Sequence, residues 1–121
     1  MVSKFLQSAK AAFRGLTLVL REEPNFRIEI FVGGAVVLLA FLLRVSRLEV
    51  ALLILVSMIV LVLELSNTAA EHLVDLLRPR LHESVRRVKD ITAATVLVAS
   101  IGAAVIGVAI FLPRIIAFVT D

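Results

Sequence analysis

The sequence predicts an all-α integral membrane protein, with three transmembrane helices preceded by an amphipathic surface helix. Two compositional facts and one pattern carry that expectation. Of 121 residues, 60% are hydrophobic, and a mean hydropathy of +1.04 is too apolar for a soluble domain of this length. The apolar residues collect into three runs, 30–43, 50–63 and 91–112, with the charges before and between them. The formal charge of +3 is better explained by membrane topology than by nucleic acid, because the basic residues flank apolar runs and form no aromatic-interleaved patch. Cysteine is absent, which excludes disulfide and thiol chemistry.

In residues 1–23, Phe5, Ala9, Ala12, Phe13, Leu16 and Leu20 recur at three- and four-residue intervals, opposite Lys4, Gln7, Lys10, Arg14 and Arg21. That pattern predicts a helix lying at the bilayer surface. Its role is either simple anchoring or framing a site at the interface. Charges run throughout the first twenty residues, so a cleaved signal peptide is not expected. Pro24 marks a turn or a new helical start. The adjacent Glu22 and Glu23 have two readings, as caps of the next helix or as a source of a metal ligand.

The run 30–43 is short against the roughly 20 residues of a span, so the first span is extended to 27–47 with snorkelling ends. Gly33 and Gly34 permit close helix approach. A tight loop, RVSRLE, leads into a second helix over 48–77, which passes from an apolar run into a polar segment and stops near Arg78, Pro79 and Arg80. The third span is placed at 90–113, and its Ala, Gly and Ser residues suit tight packing. The whole of 1–121 forms one unit. Three spans put the two ends on opposite sides, and the basic residues of 4–27 and 78–89 outnumber Arg44, Arg47 and Arg114. The N-terminus is therefore expected in the cytoplasm and the C-terminus outside.

The most informative stretch is 64–75, ELSNTAAEHLVD. At the ~100° per residue of an α-helix, Glu64, Asn67, Glu71 and Asp75 fall within an arc of about 80°. Like charges crowded on one face repel, and carboxylates at a membrane surface call for water, a cation or a partner. One reading is an interhelical salt-bridge network. The other is a phosphoryl-transfer site, in which two or three carboxylates hold Mg²⁺, a further carboxylate accepts a lipid hydroxyl proton, and Lys89 faces phosphates. Periodicity does not separate these. The sequence contains no P-loop, GxGxxG or protein-kinase triplet. His72 and His82 lack zinc-type spacing and read as ordinary interfacial histidines, while Phe5, Phe13 and Phe26 read as anchors.

Four motifs then carry a resemblance: AFRGL at 12–16, EEPNFRIE at 22–29, ELSNTAAEHLVD at 64–75 and RRVKDITAATVLVAS at 86–100. They resemble those of the prokaryotic diacylglycerol kinase and undecaprenol kinase family, small integral-membrane lipid kinases. The resemblance implies a homotrimer in the bacterial cytoplasmic membrane that uses MgATP to phosphorylate a lipid hydroxyl at the cytoplasmic interface. By resemblance, Glu64 is the catalytic base and Glu23 and Glu71 are magnesium ligands. Asn67 supports the site, Lys89 contacts phosphate, Asp90 neighbours the nucleotide, and Glu29 completes the acidic group. Asp75 takes a nucleotide-side or structural role, and Arg14 with Gly15 forms the basic-glycine part of the surface helix. Ile28, Ala93 and Phe13 depart from the glutamine, small hydroxyl residue and tryptophan of a well-known diacylglycerol kinase. Diacylglycerol, giving phosphatidic acid, is the expected substrate, with undecaprenol as the alternative. A noncatalytic membrane assembly protein is the competing class; a transporter finds no evident path through the bilayer.

Overall fold

A computed structural model describes residues 1–77 and 82–121. The expected helix stop at Arg78, Pro79 and Arg80 lies outside the described residues. Four helices follow one another: α1 Val2–Glu22, α2 Pro24–Leu42, α3 Arg47–Leu77 and α4 His82–Thr120. The last three are long and apolar enough to cross a membrane. At 1.5 Å per residue, the 19 residues of α2 make a rod of about 28 Å, close to the ~30 Å hydrocarbon core. The 31 residues of α3 extend about 46 Å, so its polar third projects beyond that thickness.

Pro24 occupies the first turn of α2, where its missing N–H costs nothing and its fixed φ favours helix. The first span consequently starts three residues before the expected 27. It also ends earlier, at Leu42, because the chain leaves the helix through a left-handed residue. Arg44 has φ 55°, its N–H donates to Phe41 O at 3.3 Å, and Val45 N–H donates to Ala40 O at 3.2 Å. This pair of bonds is the Schellman closure, with arginine where glycine is usual. Ser46 then caps α3 reciprocally: Glu49 N–H donates to Ser46 Oγ at 3.2 Å, and Ser46 N–H donates to Glu49 Oε1 at 3.0 Å. S-x-x-E is a capping-box signature, and the pattern SRLE was present in the sequence.

Helix α4 runs past both ends of the expected third span. The charged RRVKD segment is helical, and the helix continues through Pro113 to Thr120. Proline removes one backbone bond, which membrane helices tolerate where neighbouring groups compensate. Helix α3 packs against both α4 and α2, while α1 packs on α2. The buried core of Ala40, Leu53, Ile110 and Phe111 sits toward the Arg44 end. Gly33 faces Ser57 across the α2–α3 contact, as close packing requires; Gly34, Gly102 and Gly107 have open space around them.

Candidate active site

The far end of the bundle gathers the acids. Glu23 joins α1 to α2 in an extended conformation, φ −111° and ψ 101°. Its N–H donates to Val19 O at 2.9 Å, closing α1, but its side chain makes no capping hydrogen bond to α2. Glu23 thus stands at the N-cap position of α2, with its carboxylate making no capping hydrogen bond. Beside this elbow stand Glu29 on α2 and Glu64 and Glu71 on α3. Glu64 lies about 26 Å along α3 from Arg47 at 1.5 Å per residue, and it is 6% exposed. Glu23 and Glu71 are near enough to repel its charge, and Glu64 in turn repels Glu29.

Nothing in the described residues neutralises this group. The ion pair among them is Arg114–Glu49 at 2.7 Å, and His72 Nε2 approaches Glu22 at 3.8 Å, so no salt bridge to Glu64 is formed among the described residues. Thr68 is buried directly below, but its hydroxyl donates to the Glu64 carbonyl at 3.0 Å rather than to the carboxylate. Glu29 Oε2 and Asn67 Oδ1 are buried without a hydrogen-bond partner. Both are acceptors, and an acceptor left unmatched in the interior costs on the order of 1–3 kcal/mol. A cluster of repelling carboxylates and orphaned oxygens demands a proton donor or a hard cation.

The donor set fits magnesium. All the atoms on offer are oxygens, although among the described residues no group of three or more His, Cys, Asp or Glu is arranged to hold a metal ion by itself. Mg²⁺ uses one or two carboxylates and takes its remaining ligands from water and substrate phosphates.

The other expected residues are less closely tied to this group. Asp75 and Asp90 are exposed and Lys89 is half-buried; among the described residues none of them bonds to the carboxylates. Arg14 is exposed on α1 and lines a shallow cleft made by α1 residues alone. Two further side chains join the helices beside the site: His72, expected to be an ordinary interfacial histidine, and Arg27, given no site role from the sequence. His72 reaches Glu22 from α3, and Arg27 Nη1 donates to the carbonyls of Leu20 at 2.6 Å and Arg21 at 3.0 Å.

An apolar groove of about 610 Å³ leads away from the acids. It lies between α2 and α4 over α3, beginning at Ile28 and Glu29 and ending near Leu112 and Ile115, with Ser57 and Gly107 along its length. The groove is apolar along its length, with Glu29 at one end.

Residues 10–111 match the family described as prokaryotic diacylglycerol kinase. The chain belongs to that family. The matched region contains every residue of the acidic cluster. A diacylglycerol kinase of Synechocystis sp. is 39% identical over 112 residues, 92% of this chain and 64% of that protein. The chain thus spans somewhat less than two thirds of that relative's length. An undecaprenol kinase of Bacillus subtilis is 34% identical, covering 94% of this chain and 93% of the relative. A diacylglycerol kinase of Haemophilus influenzae is 33% identical, with coverage of 81% and 83%. Membership of the prokaryotic diacylglycerol kinase family accords with a fold of three long apolar helices and with acids collected at one end.

Proposed function

We propose that this chain is an ATP-dependent lipid kinase, transferring the γ-phosphate of MgATP to the hydroxyl of diacylglycerol at the cytoplasmic membrane interface to give phosphatidic acid. The observation that carries the reading is the buried Glu64, repelled by Glu23 and Glu71 and repelling Glu29, which lines the end of the apolar groove. The groove holds the hydrocarbon of the lipid, which brings its hydroxyl to the carboxylates.

Glu64 accepts the hydroxyl proton as the lipid oxygen bonds to the γ-phosphorus and the bond from that phosphorus to the β,γ-bridging oxygen breaks, releasing ADP. Burial suits Glu64 to this task, because a base shielded from water is held in one position against its substrate. Glu23 and Glu71 hold Mg²⁺, which when bound neutralises phosphate charge. Asn67 Oδ1 supports that group, and Glu29 completes it at the groove's end. Lys89 faces the phosphates, with Asp90, Asp75 and Arg14 on the nucleotide side. In the membrane the N-terminus is cytoplasmic, the C-terminus external, and α1 lies on the surface with Phe5, Leu6 and Phe13, all exposed, toward lipid. The active assembly is a homotrimer. Gly102, which has nothing within 4 Å, leaves α4 a smooth patch for another subunit.

Undecaprenol is the second reading, supported by the near full-length likeness to the Bacillus subtilis undecaprenol kinase. The two differ in the hydrocarbon that the groove receives, and apolar pockets discriminate such differences weakly. Purified protein in defined micelles, given MgATP with diacylglycerol, undecaprenol or a monoacylglycerol in turn, tests the proposal. Transfer of γ-phosphate with the highest catalytic efficiency on diacylglycerol is expected. Higher efficiency on undecaprenol reverses the substrate assignment. No transfer to any lipid alcohol rejects the enzyme in favour of a noncatalytic assembly protein.

A further inference from the structure

The position of Glu23 rests on backbone alone, and the backbone there is an elbow. Glu23 stands between α1 and α2 in extended conformation, with no side-chain bond to hold it. Its N–H is tied back to Val19 O at 2.9 Å, and its C=O accepts from Arg27 N–H at 3.4 Å. One residue therefore serves both helices, and a change in the angle between them moves its carboxylate relative to Glu64.

Arg27 bridges that elbow. The last carbonyls of a helix have no partner within it, and a guanidinium is the side chain best suited to satisfy them. Nη1 donates to Leu20 O at 2.6 Å and Arg21 O at 3.0 Å. Arg27 belongs to the first turn of α2, while its acceptors belong to the last turn of α1. The bonds close a ring around Glu22, Glu23 and Pro24. A change in elbow angle strains them, because both acceptors are carried by α1 and the donor by a side chain of α2. Phe26, 2% exposed, holds the same turn from the buried side, and His72 reaches Glu22 from α3.

We infer that Arg27 is a positioning residue for Glu23, clamping the α1–α2 elbow so that the Glu23 carboxylate stays beside Glu64. This inference rests on the assignment of Glu23 as a magnesium ligand, and its test separates the two. The chain has no cysteine, so Ser8→Cys on α1 and Leu38→Cys on α2, both exposed positions, accept spin labels without competition. With labelled subunits diluted in unlabelled protein, the distance distribution between them is narrow, and Arg27→Gln broadens it. In parallel, Arg27→Gln raises the Mg²⁺ concentration for half-maximal phosphoryl transfer by about tenfold, the scale seen when a residue supporting a metal ligand is lost. In a Glu23→Gln background, Arg27→Gln produces no further rise. An unbroadened distribution overturns the clamp, and an equal rise in both backgrounds overturns its action through Glu23. If Glu23→Gln alone leaves the Mg²⁺ requirement unchanged, the ligand assignment falls and with it the positioning role, even where the distances show that the elbow has loosened.

Discussion

Arg114 Nη2 donates to Glu49 Oε1 at 2.7 Å, and Arg114 Nη1 donates to the Arg44 carbonyl at 3.2 Å. One guanidinium thus fastens the end of α4 to both the turn after α2 and the first turn of α3. Glu49 already belongs to the capping box of α3, so the same carboxylate closes a helix and anchors another. Arg114→Ala and Glu49→Ala are expected to lower the thermal unfolding temperature. The Glu49 change should be the larger, because it removes the cap as well. The double variant should fall no further than Glu49→Ala plus the loss of the Arg44 contact, which thermal denaturation in a fixed detergent measures. Strictly additive losses would count against a shared bond.

Arg44 closes α2 in the left-handed region with φ 55°. A side chain in that conformation is strained by roughly 1–2 kcal/mol, which glycine avoids, although glycine loses about 0.5–1 kcal/mol through its freer unfolded chain. Arg44→Gly should therefore be neutral to slightly stabilising, since Arg114 bonds to the backbone oxygen and not to the lost side chain. Arg44→Val should destabilise by more than about 1 kcal/mol, because branching at Cβ worsens the clash. Equilibrium unfolding of the two variants gives the comparison, and equal stability would remove the role of the turn.

Glu64→Gln keeps the shape of a side chain only 6% exposed while removing its ability to accept a proton. Phosphoryl transfer should fall by at least roughly 100-fold, the lower range for loss of a general base. Oligomeric state and nucleotide binding should persist, and loss of repulsion from Glu23 and Glu71 should leave stability equal or improved. Turnover at the parent rate would reject Glu64 as the base.

Glu23→Ala and Glu71→Ala each remove an acid that repels Glu64. Each should raise the Mg²⁺ concentration needed for half-maximal transfer by about 10-fold or more, while the concentration dependence on lipid changes little. Magnesium titrations at saturating lipid provide the check. A shift confined to the lipid dependence would move both residues from the metal to the groove.

Helix α2 shows how far the sequence could be read. Its apolar character was plain and Pro24 was legible as a turn or a new helical start, yet its ends were displaced, because the helix begins at Pro24 itself and because a Schellman closure was built on Arg44 without glycine. Ser46 and Glu49 carried a legible capping signature. For α4, the proline at 113 and the charges before 91 were natural places to end a span. Both lie inside the helix, since neither a single lost backbone bond nor a run of solvated charges stops a helix that has packing on one side. Within the site, the period of α3 placed Glu64, Asn67 and Glu71 on one face from sequence alone. Arg27 and His72 were not legible, because their partners lie on other helices and no spacing rule connects them.

Local chemistry determined what the sequence could determine. Apolar run lengths set the number of long helices, and 3.6-residue periodicity aligned the acids of α3, because both depend only on neighbours along the chain. The meeting of Glu23 and Glu29 with Glu64 and Glu71 was decided by tertiary structure, as was the absence of a neutralising partner within the described residues. That meeting depends on the angle of the α1–α2 elbow and on the packing of α2 against α3. Such angles are fixed by contacts between residues far apart in sequence, where Arg27 holds the carbonyls of α1 and Gly33 lets α2 approach Ser57.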